Sequence, residues 1–182
     1  MRRVPHLHCT IVAVLAITGT IACTGEDPKR AAEAAAAAER AAISTQVALG
    51  AEATRTKNID GYMAQIPPDL DLHGPNNAVM TREALRAQVL KAWESIRATR
   101  ALEANVTSVI LHRDSATVFL TQKWDRLVIR PDSKAVDTII TESARRETWR
   151  KTGGIWRSYE GVTTQSRTTV NGALLVTVPG LR

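Results

Sequence analysis

The stretch ETWRKTGGIWRSY, residues 147–159, decides the fold class. β-Branched and aromatic residues lie among polar ones on both sides of Gly153 and Gly154, which is typical of strands. Two adjacent glycines between such runs favour a two-residue hairpin turn, because both turn positions need a positive φ. The stretch therefore predicts an antiparallel hairpin, with strands over residues 136–151 and 155–170.

Further strands are predicted on both sides of this hairpin. Period-two patterning covers residues 102–111 and 116–130, and a short last strand is predicted over residues 173–178. On the strand over residues 116–130, four apolar residues share one face with Gln122 as a polar member: Val118, Leu120, Trp124 and Val128. The C-terminal half therefore predicts consecutive antiparallel hairpins.

Before about residue 100 the pattern has a helical period. Thr81 begins the clearest helix, whose apolar stripe consists of Leu85, Val89, Trp93 and Ile96. Asn58 caps a short helix that ends before Pro67, and an earlier helix covers residues 43–56. Helices followed by hairpins predict an α+β domain over residues 43–182: a cone-shaped, curved antiparallel sheet with the N-terminal helices on its concave face.

Residues 1–22 are predicted to be a signal peptide. Arg2 and Arg3 give a positive start, and residues 10–17 form an apolar core that is too short to span a bilayer. A retained membrane anchor and a misassigned start are the alternatives. Removing the signal lowers the formal net charge from +6 to +4 with the signs interspersed, so no nucleic-acid partner is expected.

Residues 20–23, TIAC, resemble a bacterial lipobox. The resemblance implies that Cys23 becomes a lipidated N-terminus, and Thr24 after it favours the outer membrane in a Gram-negative host. Cleavage after Ala22 to give a secreted or periplasmic protein is the alternative. Residues 23–42 then form an alanine-rich helical spacer. Because Cys9 is removed, the mature domain has no thiol for a disulfide, a nucleophile or a zinc site.

The domain resembles the nuclear transport factor 2-like superfamily in its SnoaL-like bacterial branch. The resemblance covers roughly residues 43–170 and rests on residues 57–62, 68–70, 81–85, 114–118 and 146–157. It implies the cone fold and leaves the activity open, because members include isomerases, polyketide cyclases, dehydratases, transport factors and small-ligand- or protein-binding domains.

Asp69, Asp71 and His73 are the candidate catalytic residues. On a predicted strand over residues 68–74 they share one face, where they could form an acid–base group or hold a metal. They could equally form the solvent side of an edge strand. The isomerase-like members of the family place an Asp base near His73 and a Tyr near Gly50, so this chain departs from ketosteroid-type isomerases. His73 remains a candidate base.

Tyr62, Trp93, Trp124 and Trp149 are the candidate ligand-pocket residues, since large rings bury much ligand area. Filling the core between helix and sheet is the alternative. Arg145 and Glu147 share one strand face opposite Arg146, and we expect a cross-strand charge ladder on the solvent side.

The sequence thus predicts an envelope-tethered lipoprotein whose domain binds a small apolar ligand or an envelope protein. The alternative is a SnoaL-like isomerase, cyclase or dehydratase that uses His73 or Asp71 as base. A structural or assembly role is a third possibility. No cofactor and no metal are expected, and the open sheet face suits a homodimer.

Overall fold

The computed structural model describes residues 27–70, 72–73 and 79–178. The predicted signal peptide and Cys23 therefore lie outside the described residues. Within the described residues, no helix is long and apolar enough to cross a lipid bilayer.

One continuous helix, α1 (Pro28–Arg55), contains most of the predicted spacer and the first helix of the domain. Asp27 caps it by accepting a hydrogen bond from the Lys29 backbone N–H, and Pro28 suits the first turn because its missing N–H is not needed there. At 1.5 Å per residue the helix is roughly 42 Å long. Its N-terminal part is exposed, and Ile43 is its first buried side chain.

Two shorter helices follow at the predicted places. Asn58 caps α2 (Ile59–Gln65), and Thr81 caps α3 (Arg82–Glu94). The Arg82 guanidinium donates to the backbone oxygens of Met63, Ile66 and Pro67, so the start of α3 is tied to the end of α2.

Among the described residues of the strand predicted over residues 68–74, strand structure is confined to β1 (Leu72–His73), which pairs with β2 (Val79–Met80). Pro68 and Asp69 lie in a turn closed by the hydrogen bond from Leu70 N–H to Pro67 O at 3.3 Å. The prediction that Asp69 lies on the strand was therefore wrong.

Five antiparallel strands form the main sheet in the predicted order: β3 (Ile96–Leu111), β4 (Ser115–Ile129), β5 (Val136–Thr152), β6 (Ile155–Val170) and β7 (Ala173–Val178). The first strand begins six residues earlier than predicted, so Ile96, predicted on the apolar stripe of α3, is the first residue of β3. Gly153 and Gly154 join β5 to β6 with φ of 59° and 80°. Both glycines adopt the positive φ that a two-residue hairpin requires, which confirms the predicted turn.

Two bulges bend this sheet at the same level. Thr107 on β3 and Thr164 on β6 have no partner in the strand register, and each hydroxyl donates to a carbonyl of the neighbouring strand, Phe119 O and Ala144 O, at 3.1 Å. The bulges lie on either side of Leu120 and its partner on β5. Because a bulge increases local twist and bend, the pair curls the sheet across its middle.

The core lies between α1 and the concave face of the sheet. Its buried members are Ile43, Ala116, Val118, Leu120, Trp149 and Trp156. The helices therefore cover the inner side of a bent antiparallel sheet, which confirms the predicted α+β cone.

Candidate functional site

A cavity of about 400 Å³ lies between the first two helices and the inner face of the sheet. The helical wall consists of Gln46, Val47, Gly50, Ala51, Thr54, Tyr62, Gln65 and Ile66. The sheet wall consists of Ala104, Leu120, Gln122, Trp124, Arg145, Glu147, Trp149 and Ser158. The cavity thus combines apolar surface with a few polar groups, as small-molecule sites do.

Glu147 carries the buried charge of this wall. It is 6% exposed, and its carboxylate accepts a hydrogen bond from Trp149 Nε1 at 2.9 Å. Its Oε1 lies 3.2 Å from Arg145 Nη2. Alternate residues of β5 point to one face, so Arg145, Glu147 and Trp149 reach the cavity together. The carboxylate is thereby held by a cation and an indole N–H.

Gly161 on β6 makes room for this pair. It stands opposite Glu147 in the strand register, and a Cβ at Gly161 would lie 3.0 Å from Arg145 Nη2. The solvent-side charge ladder predicted for Arg145 and Glu147 was therefore wrong. These two side chains face the cavity, because the face that they share with Trp149 is the one that the helices cover.

Two hydrogen-bond donors of the cavity wall have no partner among the described residues, Trp124 Nε1 and Arg145 Nε. A buried donor without a partner costs about 1–3 kcal/mol. The Arg126 guanidinium lies 4.1 Å from the centroid of the Trp124 ring and supports the indole from one side. The sheet wall therefore offers unused donors next to an apolar surface.

Tyr62 contributes a phenolic hydroxyl to the helical wall. Burial raises the pKa of Tyr62, while the positive charge of Arg145 acts in the opposite direction. The ring packs edge-on against Trp93, with centroids 5.7 Å apart and an interplanar angle of 82°. Tyr62 is thus a neutral hydrogen-bonding group with a fixed ring.

Three of the four predicted pocket aromatics line the cavity: Tyr62, Trp124 and Trp149. Trp93 is buried on α3 and supports Tyr62 from behind instead of lining the cavity. The sequence did not lead us to expect Arg145 and Glu147 in the cavity, although residues 145, 147 and 149 alternate along one strand and therefore share a face.

Of the predicted catalytic residues, the structure describes the side chain of Asp69 alone. Asp69 is exposed, does not line the cavity, and accepts a hydrogen bond from the Tyr159 hydroxyl at 2.6 Å. This hydrogen bond lowers the pKa of Asp69. Asp71 lies outside the described residues, and of His73 only the backbone is described. Across the described ranges, no three His, Cys, Asp or Glu side chains are grouped to hold a metal.

The chain matches no known protein-family profile. No curated protein sequence matches it either.

Solved structures do resemble it. A scytalone dehydratase-like protein of Novosphingobium aromaticivorans has a TM-score of 0.61 and 16% identity, over 82% of this chain and 97% of that one. A second protein of that organism, described as nuclear transport factor 2-like, has a TM-score of 0.53 and 17% identity, over 77% and 90% of the two chains. A ketosteroid isomerase-like protein of Erwinia carotovora atroseptica has a TM-score of 0.52 and 17% identity, over 68% and 92%.

The chain therefore has the nuclear transport factor 2-like fold. Similarity at such low identity defines the architecture and not the chemistry, because this fold hosts unrelated activities.

Proposed function

We propose that this chain is an envelope-tethered protein whose domain binds a small, largely apolar molecule in the cone cavity. The observation that carries the proposal is the cavity itself, at about 400 Å³, with a buried carboxylate in one wall beside two donors that have no partner among the described residues. Natural ligand pockets span roughly 300–1,000 Å³ and are mostly apolar with a few placed polar groups. This cavity meets both conditions.

The polar wall indicates the kind of ligand. Trp124 Nε1 and Arg145 Nε are donors, and Tyr62 adds a hydroxyl on the opposite wall. A ligand with an acceptor oxygen at one end would satisfy such donors, while its apolar body would lie against Val47, Leu120 and Trp149. A flat or cyclic molecule with a single carbonyl or carboxylate group fits this description.

Binding is favoured over catalysis because the acidic groups are already engaged. Glu147 is held by Arg145 and Trp149, and Asp69 is held by Tyr159 outside the cavity. The contacts of Glu147 occupy the carboxylate oxygens with which a general base would have to accept a substrate proton.

An isomerase, cyclase or dehydratase is the second candidate, and Glu147 is the observation that favours it. It is a buried carboxylate in the cavity wall, where a general base would be placed. A ligand oxygen that drew Arg145 away would free Glu147 to accept a proton.

The tether is proposed from the sequence of residues 20–23, with Cys23 as the lipidated residue. The exposed N-terminal part of α1 supports a spacer between the lipid and the cone, because it offers almost no apolar surface for burial.

Gly50 gives a direct test of the binding site. It lines the cavity from α1, and a Cβ there would meet only Gln65 Cγ, at an ordinary 3.6 Å. We expect Gly50→Leu to fill the cavity and weaken binding of the fluorescent probe anilinonaphthalene sulfonate by about tenfold or more, which is about 1.4 kcal/mol. The probe combines apolar rings with acceptor oxygens, and fluorescence titration of residues 24–182 would measure it.

Gly50→Ala is the matched control. It adds one methyl group, leaves most of the cavity open, and should stabilise α1 by about 0.5–1 kcal/mol while probe binding persists. Equal probe affinity of Gly50→Leu and the unmodified chain would refute the cone as the binding site.

A further inference from the structure

Arg126 is a cation on the inner face of the sheet that has no counter-charge in the described part of the chain. It follows Trp124 at the two-residue spacing of a strand, and its guanidinium lies 4.1 Å from the centroid of the Trp124 ring. Among the described residues it forms no salt bridge. The adjacent carboxylate, Asp125, lies on the opposite face and accepts two hydrogen bonds of 2.9 Å from Arg100.

The other partly buried arginines of the described ranges have strong acceptors. Each donates to a carboxylate or to backbone carbonyl oxygens: Arg82, Arg86, Arg145 and Arg157. Arg126 donates only to a hydroxyl, from Nη1 to Thr141 Oγ1 at 3.2 Å. Burial lowers the pKa of Arg126, and no carboxylate of the described residues raises it. A partly buried cation without an anion is costly, so this exception requires an explanation.

Two threonine hydroxyls lie beside the Arg126 guanidinium. Thr141 Oγ1 accepts from Arg126 and from Thr168 Oγ1, the latter at 3.4 Å, so its own proton remains to be donated. Thr99 is the register partner of Arg126, and its buried Oγ1 has no partner among the described residues. Cross-strand partners share a face. Donors from β3, β4 and β5 therefore lie side by side at Thr99, Arg126 and Thr141, here called the arginine site.

We propose that the arginine site binds the carboxylate of a small aliphatic acid. The remaining guanidinium N–H groups and the two hydroxyls are donors, which is what an oxyanion requires. One guanidinium balances the single charge of a carboxylate, whereas a phosphate monoester carries about two. Ile139 and Val170 follow Arg126 across β5 and β6 in the strand register, and both are partly buried. They provide apolar contact for a short hydrocarbon chain.

The arginine site is distinct from the cone cavity. None of its three residues lines the cavity, whereas Trp124 does. The ring that Arg126 covers is therefore a wall shared by the two sites. Binding at the arginine site does not depend on the function proposed for the cavity.

Calorimetric titration of the full chain in mild detergent, with sodium hexanoate as the probe, tests the arginine site. The unmodified chain should bind hexanoate, and should bind the neutral analogue hexanamide at least about tenfold more weakly, because it lacks the charge that Arg126 attracts. Inorganic phosphate should also bind more weakly than hexanoate. Arg126→Met keeps an unbranched apolar chain on the Trp124 ring and should weaken hexanoate binding at least about tenfold.

Arg146→Met is the matched control for the loss of charge. Arg146 is exposed on β5, on the face opposite Arg145, and forms no salt bridge among the described residues. Its substitution removes the same positive charge from the same sheet, so hexanoate affinity should not change. Equal losses in Arg126→Met and Arg146→Met would reduce the effect to net charge and overturn the proposal.

Thr99→Val separates a binding role from a structural one. The substitution keeps the shape of the side chain and removes a buried hydroxyl that has no partner among the described residues. The Tm without hexanoate should therefore stay the same or rise, while hexanoate affinity falls by about threefold or more. A lower Tm with unchanged affinity would mean that the hydroxyl serves the fold, which contradicts the proposal.

Gly50→Leu distinguishes the two sites. It fills the cone cavity from α1, so hexanoate affinity at the arginine site should stay within about twofold. Hexanoate binding that Gly50→Leu abolishes would place the acid in the cone cavity and overturn the proposal. An unmodified chain that does not bind hexanoate, unchanged affinity in Arg126→Met, or hexanamide or phosphate binding as tight as that of hexanoate would each overturn it as well.

Discussion

Glu147 is the side chain on which the cavity wall depends. Replacing it with Ala leaves the buried Trp149 Nε1 without its acceptor and the partly exposed Arg145 guanidinium without its counter-charge. We expect Glu147→Ala to lower the free energy of unfolding by about 1.5–3 kcal/mol, the usual range for a hydrogen bond to a charged group. Urea unfolding followed by tryptophan fluorescence would measure the change.

Glu160→Ala is the companion variant. Glu160 is exposed on β6 and forms no salt bridge among the described residues, so its loss should change stability by less than about 0.5 kcal/mol. Equal effects of the two substitutions would show that the contacts of Glu147 do not contribute to stability.

At the residue scale, the sequence predicted the aromatic residues of the cavity better than its charged residues. Tyr62, Trp124 and Trp149 were expected at a pocket because their size favours burial. Arg145 and Glu147 were assigned to solvent because charged residues usually lie there. Alternation shows which residues share a face but not which face is covered. Glu147 lies two residues from Trp149 on the same strand, so a buried Trp149 would have indicated that Glu147 also faces inward.

At the element scale, α1 contacts the sheet earlier than its composition suggests. The Glu39 carboxylate accepts hydrogen bonds from Lys151 Nζ, at 2.7 and 2.9 Å, and from Trp156 Nε1 at 2.6 Å. Glu39 lies in the alanine-rich segment, so its long-range partners could not be read from local pattern. The contact fixes the helix against the β5–β6 hairpin.

This contact predicts an acid-sensitive contribution to stability. The hydrogen bond from Lys151, followed by that from Trp156, lowers the pKa of Glu39. A lowered carboxyl pKa stabilises the fold above the ordinary pKa of the group, and this contribution is lost as the pH falls through the lowered value. We expect Glu39→Gln to lower the Tm at neutral pH, with the difference from the unmodified chain closing as the pH falls below the ordinary pKa of a glutamate side chain.

Thermal unfolding across this pH range would measure the effect. Glu33→Gln on the same helix is the control, since Glu33 is exposed and forms no salt bridge with described residues. A Tm difference for Glu39→Gln that stays constant with pH would contradict the assignment.

The positions of most helices and strands were predictable from hydrophobic periodicity and from the residues that cap helices or form turns. Asn58 and Thr81 mark their helices, and Gly153 with Gly154 marks the hairpin. The exception is the short β1, where polar–apolar alternation suggested a longer strand. A proline-initiated turn formed instead, because Leu70 N–H bonds to Pro67 O.

At the scale of the whole molecule, the tether makes a separate prediction. The chain has two cysteines, Cys9 and Cys23. We expect the full chain expressed in a bacterium to incorporate a labelled fatty acid, and Cys23→Ser to abolish the label, because the thiol is the acceptor in lipobox processing. Cys9→Ser should keep it, since Cys9 lies in the predicted signal peptide. Label retained by Cys23→Ser would exclude this residue as the lipid site.

The overall architecture followed from one change of period near residue 100, from helical to alternating. That change extends over the whole chain, so an error in the predicted bounds of one element does not alter the predicted fold class. The ligand and the activity were not predictable in the same way, because they depend on which side chains a bent sheet brings together across long sequence separations.

The paired bulges at Thr107 and Thr164 have a consequence for engineering the cone. Each adds one residue to its strand, so core-facing positions of β3 change from even numbers before the bulge (Val106) to odd numbers after it (Val109). Deleting either threonine would leave the flanking residues opposite their present partners and on their present faces, because those partners are consecutive in the neighbouring strand. Such a deletion should therefore flatten the sheet locally while the core keeps its members.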